Sequence, residues 1–390
     1  MRSFDIAERR ARLATRHGLV AGHRAADAVA ATNAVVCLHA TNPATVYLSA
    51  WARVEDMTRE DLDRALYADR SLVKHLAMRR TLFVVPRDLL GVIQAAASNR
   101  VAGQESRRLA RDVERAGLVT DGRAWLLAAQ EATLRALESS GEATSTQLRE
   151  QVALIQGSTV YAPEKSYGGS APVAPRVLTT LSAAGHILRA SNNGGWSVSR
   201  PNWATTRQWL GAEISRVAEA DARAELVRRW LYAFGPATTA DLNWWLGGTL
   251  ATTRAALKDV GAVEVDLHGR PGVVLADDLD EVAPVAPWAA LLPDLDPTTM
   301  GWFDRDWYLG PHRAQLFDTN GNAGPTAWWD GRIVGGWRQG AQGAVVVQLL
   351  EDIGNEGTAA LQSEAARLTQ WLGGARPLPR FPSPLYKSTT

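Results

Sequence analysis

A short segment occurs twice in this chain and constrains its fold more than any other feature. The first copy reads Gly141-Glu-Ala-Thr-Ser-Thr-Gln-Leu, and the second reads Gly235-Pro-Ala-Thr-Thr-Ala-Asp-Leu. In each copy a threonine lies three positions before a polar residue, which is the spacing of a helix N-cap and the residue that bonds back to it. Thr58 and Asp61 have the same spacing nearer the N-terminus. Repeated segments of this kind indicate repeated supersecondary units.

The residues after each cap predict two helices followed by a β-hairpin, which is the order of a winged helix-turn-helix. In the second copy, Gly261 ends the second helix and the hairpin turn is His268–Pro271. In the first copy the turn is Ser191–Gly195, followed by a strand at residues 196–199. We therefore predict an α+β protein with three tandem winged helix-turn-helix units, at residues 1–100, 101–205 and 206–282. A three-part α+β protein with coincidental caps is the alternative.

The first unit fits this order more loosely, and the residues after 282 do not fit it. In the first unit we predict a helix at 59–69, a helix from Ser71 and a strand from Arg80. Residues 283–390 predict a β-rich subdomain with a hairpin at Asp330-Gly331, a buried strand at 345–350 and a final helix at 357–373. Residues 157–172 are an insertion that the third unit lacks, and loops of that length are often functional or mobile.

Composition and charge exclude several classes of protein. Hydrophobic residues are 46% and charged residues 21% of the chain, which is typical of a soluble globular protein. We find neither a signal peptide nor a segment long enough to span a membrane. The one cysteine, Cys37, predicts a buried side chain in a protein of the reducing cytoplasm. Residues 1–110 hold 17 Lys and Arg against 11 Asp and Glu, a surplus that permits binding to a polyanion.

The segment Leu38-His-Ala-Thr-Asn-Pro places two polar side chains directly before a predicted helix. Asn42 suits the N-cap and Pro43 the first helical position. In an extended junction, alternate side chains point the same way, so His39 and Thr41 are expected to face one spot while Leu38 and Ala40 pack inward. Such a pair is either a site or a device that caps neighbouring backbone groups.

This segment, with the Met78-Arg-Arg-Thr-Leu-Phe strand and the late Trp-Trp-Asp-Gly-Arg hairpin, resembles the winged-helix DNA glycosylases of the AlkZ/YcaQ type. The resemblance covers nearly the whole chain. It implies a concave, positively lined face that binds duplex DNA carrying alkylated purines, and excision of the damaged base without a metal or cofactor. His39 and Thr41 take the place of the family's catalytic Gln-hydrophobic-Gln or Gln-hydrophobic-Asp motif, and both side chains differ from it.

The chemistry of excision suits these two residues. Cleavage of an N-glycosidic bond passes through a sugar with oxocarbenium character, and an alkylated purine that already carries positive charge leaves easily. His39 is therefore expected to accept a proton from the attacking water, with Thr41 holding that water. The alternative is a non-enzymatic winged-helix DNA-binding or regulatory protein. In either case we expect a cytoplasmic monomer without metal or cofactor.

Other polar residues are candidates for contact with DNA. Arg79 and Arg80 lie beside a predicted strand and are expected to bind phosphates. The family's DNA-probing hairpin has two candidates here, one with Asn192 and Asn193 and one with His268 and Arg270. Two further clusters have ordinary interpretations as well. Arg107, Arg108 and Arg111 share a helical face that is either solvated or bound to phosphate, and Asp294, Asp296, Asp304 and Asp306 are expected to bind arginines or cap turns rather than hold a metal.

Overall fold

Helices and antiparallel strands alternate along this α+β chain, for which a computed structural model describes residues 1–161 and 169–388. The capping interactions expected at three helix starts are all formed. Thr58, Thr144 and Thr238 each accept a hydrogen bond from the backbone of the third helical residue, whose side chain bonds back to the threonine N–H. The caps depend only on residues three apart, so local sequence was enough to predict them.

The first segment surrounds a three-stranded sheet of order β1-β3-β2. Its elements are α1 (Ile6–Arg16), α2 (Ala28–Ala34), β1 (Leu38–His39), α3 (Pro43–Trp51), α4 (Arg59–Asp63) with a π-helical turn at Arg64–Ala68, β2 (Leu72–Leu76), β3 (Leu82–Pro86) and α5 (Leu90–Ile93) with a π-helical turn at Gln94–Ser98. The helix predicted from Ser71 is wrong, because residues 72–76 pair with β3. The predicted strand starts later than Arg80, because Arg79 and Arg80 form the turn between β2 and β3 with φ of 53° and 59°.

The second segment has its own hydrophobic core, built from helices and two hairpins. Its elements are α6 (Asn99–Arg115), α7 (Gly122–Ser140), α8 (Ser145–Gln151), β4 (Ser158–Tyr161), β5 (Gly169–Pro172), α9 (Ala174–Ala183), β6 (Ile187–Asn192) and β7 (Pro201–Thr205). The strand predicted at residues 196–199 is wrong, since the register shifts after Arg189 and pairing resumes at Pro201. The predicted insertion forms β4 and β5 at its two ends, and residues 162–168 lie outside the described part of the chain.

The third segment follows the predicted order closely. It consists of α10 (Thr206–Leu210), α11 (Glu219–Phe234), α12 (Thr239–Leu246), α13 (Leu250–Asp259), β8 (Val263–Asp266) and β9 (Pro271–Val274). Strands β8 and β9 pair antiparallel, and Ala237 adds a bridge to Val273 just before α12. A similar bridge joins Ala143 to Trp203 in the second segment, at the equivalent place before α8.

The last segment packs a long helix against a four-stranded antiparallel sheet of order β10-β11-β12-β13. Its elements are β10 (Ala289–Leu292), α14 (Pro297–Met300), α15 (Asp306–Leu309), α16 (Arg313–Leu316), β11 (Thr326–Trp329), β12 (Arg332–Gln339), β13 (Val345–Leu349), α17 (Gly354–Leu372) and α18 (Pro384–Lys387). Asp330 and Gly331 both have positive φ, which confirms the predicted two-residue hairpin. The buried strand predicted at 345–350 is instead a sheet edge, with Val346 44% exposed.

One hydrophobic cluster joins the first, third and last segments and includes Leu188, Ala190 and Ala204 of the second segment, whereas a separate cluster fills the rest of the second. Leu38, Ala40 and most of α3 belong to the shared cluster. Among the described helices, none is long and apolar enough to cross a membrane.

Candidate functional site

His39 lies on the short strand β1, whose position is set by pairing with β3. Its pairing partner is Phe83, and the two rings meet edge to face with centroids 5.2 Å apart. The His39 side chain is 9% exposed, and its Nδ1 is buried without a hydrogen-bond partner among the described residues. Burial first, and then the positive charge of Arg79, lower the pKa of His39 to about 3. The imidazole is therefore neutral at physiological pH.

A second buried histidine, His17, has its ring nitrogens bonded, whereas a third, His75, is fully buried with neither ring nitrogen bonded to the described residues. His17 is fully buried, and its pKa is also lowered to about 3, chiefly by burial. Its Nδ1 lies 2.9 Å from the Thr298 hydroxyl and its Nε2 lies 3.1 Å from the Ala233 carbonyl. Both nitrogens of His17 are thus satisfied by the protein, as expected of a structural residue. Within residues 1–161 and 169–388, His39 has no such hydrogen-bond partner, so its Nδ1 is available to bind another group.

Thr41 has a different environment from His39. The extended pairing ends at Ala40, whose N–H donates to the Leu82 carbonyl at 2.9 Å, and the chain then bends at Thr41 and Asn42. Leu38 and Ala40 are buried as expected, at 0% and 4% exposure. Thr41 is exposed, and its hydroxyl makes no hydrogen bond to the part of the chain that the structure describes. That His39 and Thr41 act on one water therefore stays a prediction.

Asn42 holds the N-cap position of α3, but its side chain does not cap the helix. Its amide instead donates to the Asp294 carboxylate at 3.1 and 3.2 Å and to the Leu378 carbonyl at 3.1 Å. Asp294 also accepts from the Thr45 hydroxyl and the Arg380 N–H. Burial raises the pKa of this carboxyl to about 6 despite those bonds. These contacts anchor the start of α3 to the last segment.

Two other carboxylates of the acidic cluster, Asp296 and Asp304, are likewise bound within the protein. Asp296 is fully buried and binds the Arg53 guanidinium at 2.7 Å, while Asp304 pairs with Arg270. Burial acts to raise the pKa of Asp296, but the charge of Arg53 and several hydrogen bonds outweigh it and the pKa is lowered. In residues 1–161 and 169–388 no three His, Cys, Asp or Glu side chains are grouped as a metal site would require.

Arg79, in the turn between β2 and β3, is the charged residue that lowers the pKa of His39. Its guanidinium lies over the Trp244 ring of α12, 4.0 Å from the centroid, and its Nε is buried without a described partner. Burial and then the charge of Arg305 lower the pKa of Arg79 to about 10. Arg305 also lies over Trp244, at 5.1 Å. Two guanidinium groups thus pack on one indole, and one of them, Arg79, is the charge that acts on His39.

Neither Arg305 nor Trp244 is among the candidates predicted from the sequence. The distance of more than 160 residues between Arg79 and Trp244 explains why no local pattern links them. Arg80, by contrast, is 55% exposed and pairs with Glu105 at 2.9 Å.

The two candidate hairpin tips differ in how freely they meet solvent. The Asn192 amide donates to the carbonyls of Gly195 and Val198, and its oxygen accepts from the Arg200 N–H. Asn193 is exposed and bonds to Asn202. In the same loop, Trp196 packs edge to face against Tyr47 and Trp371, with centroids 5.5 and 5.6 Å away.

The β8–β9 tip makes fewer contacts. His268 has φ of 55° and is exposed, and Arg270 is 63% exposed although it pairs with Asp304.

Cys37 is buried as predicted, and burial raises the pKa of its thiol, so it is not a nucleophile.

Comparison with known proteins gives a consistent result. Residues 32–371 match the AlkZ-like family of DNA glycosylases. The interstrand DNA cross-link repair glycosylase of Streptomyces sahachiroi is 28% identical over 218 residues, which are 51% of this chain and 55% of that protein. The match thus spans about half the length of this relative. The structure of Streptomyces sahachiroi DNA glycosylase AlkZ superposes with a TM-score of 0.75 over 97% of this chain and 99% of that one, at 23% identity. The resemblance predicted from the sequence is confirmed.

Proposed function

The chain belongs to the AlkZ-like DNA glycosylase family, and on that premise we propose that it hydrolyses the N-glycosidic bond of alkylated or bulky-adducted purines in duplex DNA. The relative in Streptomyces sahachiroi is an interstrand DNA cross-link repair glycosylase, which supports the inclusion of bulky adducts. The proposed enzyme is a cytoplasmic monomer that uses neither metal nor cofactor.

We propose that residues 1–100, 101–205 and 206–282 are three winged helix-turn-helix units, followed by a β-rich subdomain at 283–390. The element order in each part supports this division. In each, a helix that starts at a capping threonine is followed by a hairpin, and in the second and third a single bridge precedes that helix and adds a third extended segment to the hairpin. Units of this kind bind duplex DNA through helices and hairpin tips.

In the proposed reaction, water attacks C1′ of the damaged nucleotide as the C1′–N bond breaks. The bonding electrons pass to the purine nitrogen, so a cationic alkylpurine leaves as a neutral base. The water loses one proton to a ring nitrogen of His39, which later releases it to solvent. Thr41 orients the water by accepting or donating a hydrogen bond. The products are the free base and an abasic site.

The observation that carries this assignment is the unsatisfied imidazole at the place of the family's catalytic motif. A pKa of about 3 makes His39 a weak base in the free protein, and a weak base suffices only when the leaving group is already activated. This favours purines alkylated at a ring nitrogen over undamaged bases. A DNA phosphate bound at Arg79 would offset the charge that, after burial, lowers the pKa of His39, so substrate binding would strengthen the base.

We further propose that the β8–β9 tip, with His268 and Arg270, is the hairpin that meets DNA. Both residues are exposed, whereas the Asn192 amide is used within its own turn and Trp196 ties the β6–β7 loop to the rest of the protein. Arg79 and Arg80 remain the proposed phosphate contacts beside His39.

The rival function is DNA binding without excision, and one experiment separates the two. Duplex DNA containing N7-methylguanine is incubated with the protein, and abasic sites are then cleaved by alkali. Strand scission above the protein-free background, lost in His39→Ala, supports the glycosylase. Binding of the duplex without scission by the wild-type protein would assign the rival function instead.

A further inference from the structure

Helix α6 carries a row of arginines that the proposed reaction does not use. Arg100, Arg107, Arg108 and Arg111 are all exposed, and with Gln104 they lie within an arc about 100° wide on a helix of 3.6 residues per turn. We call Arg100, Arg107, Arg108 and Arg111 the α6 arginine face. At a rise of 1.5 Å per residue the face is about 17 Å long.

The acidic residues of α6 do not neutralise this face. Glu105 binds Arg80 at 2.9 Å, Asp112 binds Arg176 at 2.6 Å, and Glu114 accepts the Gly122 N–H at 2.7 Å. In the described part of the chain, no carboxylate lies within 4.0 Å of Arg107, Arg108 or Arg111. Arg100 bonds only to a backbone carbonyl, that of Leu246, at 3.4 Å.

Several arginines on other helices pair with a carboxylate of their own helix, unlike those of the α6 arginine face. Arg135 on α7 pairs with Glu131, and Arg228 on α11 pairs with Glu225 at 2.9 Å. Like charges spaced three or four residues apart destabilise a helix, whereas opposite charges at that spacing stabilise it. An unpaired row of four arginines therefore destabilises the helix through repulsion between its charges. A polyanion that binds along the row would offset this repulsion.

The start of this face lies beside the candidate site. The Leu246 carbonyl that Arg100 contacts is at the end of α12, and a Cβ added to the next residue, Gly247, would lie 2.7 Å from the Arg79 side chain. The ion pair of Arg80 with Glu105 ties the β2–β3 turn to α6 itself. The β2–β3 turn that carries Arg79 thus lies at the start of the α6 arginine face.

We propose that the α6 arginine face binds the backbone phosphates of duplex DNA on one side of the damaged nucleotide. This proposal deepens the glycosylase function above and rests on it for the choice of DNA as the polyanion. A length of about 17 Å corresponds to about five base-pair steps of 3.4 Å, which is long enough for two or more phosphate contacts. The contacts are sequence-independent, so they bind undamaged and damaged duplex alike.

The test compares two double variants with the same loss of charge. Arg107→Gln/Arg111→Gln removes half of the face, and Arg135→Gln/Arg228→Gln removes two exposed, paired arginines elsewhere. Affinity for undamaged duplex is measured between about 50 and 200 mM salt. For the face variant we expect affinity to fall about 10-fold or more at 0.1 M salt, and the slope of log K against log salt to shrink by about 1.8. Arg107→Lys/Arg111→Lys should retain most of the binding.

Each other outcome overturns the proposal. An unchanged face variant, an equal loss in the control variant, or a wild-type protein that does not bind duplex DNA would each do so. Because undamaged DNA offers nothing to excise, the result is independent of the scission assay. A protein that binds through α6 but excises nothing would refute the proposed reaction and leave the arginine face supported.

Discussion

Replacing His39 by alanine, with His17→Ala as the matched control, distinguishes a catalytic histidine from a structural one. The two rings are comparably buried and have similarly lowered pKa values. They differ in their hydrogen bonds, because His17 bonds to Thr298 and Ala233 while Nδ1 of His39 has no described partner. His17→Ala should therefore lose more stability than His39→Ala, whereas His39→Ala should lose more activity.

The magnitudes follow from burial and hydrogen bonding. Deleting a large buried side chain costs about 3 kcal/mol through lost contacts and the cavity left behind. His17→Ala also leaves the Thr298 hydroxyl and the Ala233 carbonyl unpaired, at about 1 to 3 kcal/mol each, which brings the total to about 5 kcal/mol or more. In His39→Ala, removal of an unsatisfied buried nitrogen returns about 1 to 3 kcal/mol, so the net loss should be about 0 to 2 kcal/mol.

Activity should respond in the opposite order. A general base contributes about 10²- to 10⁴-fold to rate, and a base as weak as His39 belongs at the lower end. We expect His39→Ala to lower the single-turnover rate on N7-methylguanine DNA about 100-fold with little change in duplex affinity. Since the pKa of His39 is about 3, the wild-type rate should stay level across neutral and mildly acidic pH and fall only as His39 becomes protonated near its pKa.

Urea unfolding and single-turnover excision on the same preparations give both numbers. The reasoning is refuted if His39→Ala destabilises the protein as much as His17→Ala does while excision per folded molecule is unchanged. A rate that falls by half near pH 6.5 would contradict the pKa, since it would indicate an ordinary, solvated histidine.

Four further predictions follow from the structure. The free energy of unfolding should fall as pH drops below about 6.5, by about 1.4 kcal/mol per pH unit for each of the buried histidines His17, His39 and His75. Their lowered pKa values keep them neutral in the folded state, while the unfolded chain takes up protons. Thermal melts at a series of pH values test this, and a stability that is level from pH 7 to 4.5 would contradict it. Arg53→Met should cost about 3 to 5 kcal/mol in urea unfolding, because the buried Asp296 loses its cation; a loss below about 1 kcal/mol would show that this carboxylate reaches solvent. Arg79→Gln should reduce the salt slope of duplex binding by about 1 if the guanidinium binds one phosphate, whereas an unchanged slope would limit Arg79 to packing on Trp244. Shortening the β8–β9 turn at His268–Arg270 should weaken duplex binding without lowering the melting temperature, whereas Trp196→Ala should lower the melting temperature. If instead Trp196→Ala weakened duplex binding and the shortened β8–β9 turn did not, the DNA-probing role would belong to the β6–β7 hairpin.

Features predicted correctly from the sequence depend on short stretches of chain. The capping boxes at Thr58, Thr144 and Thr238 and the Asp330-Gly331 hairpin each involve residues at most a few positions apart. The wrong predictions concern residues whose structure depends on partners far away in the sequence. Residues 72–76 were expected to be helical but form a strand paired with β3, and Asn42 was expected to cap α3 but its side chain donates to Asp294.

The sequence by itself was enough to predict the capped helices with their following hairpins and the family, and it placed His39 and Thr41 at the family's motif only as a prediction. Only the tertiary structure decided the chemistry of that place. Burial against β3 and the charge of Arg79 in the β2–β3 turn keep His39 neutral, and Trp244 of α12 packs against that arginine. The division has a physical cause, because caps and turns form through hydrogen bonds between chain neighbours, whereas a pKa depends on all the charge and solvent that surround a group in space.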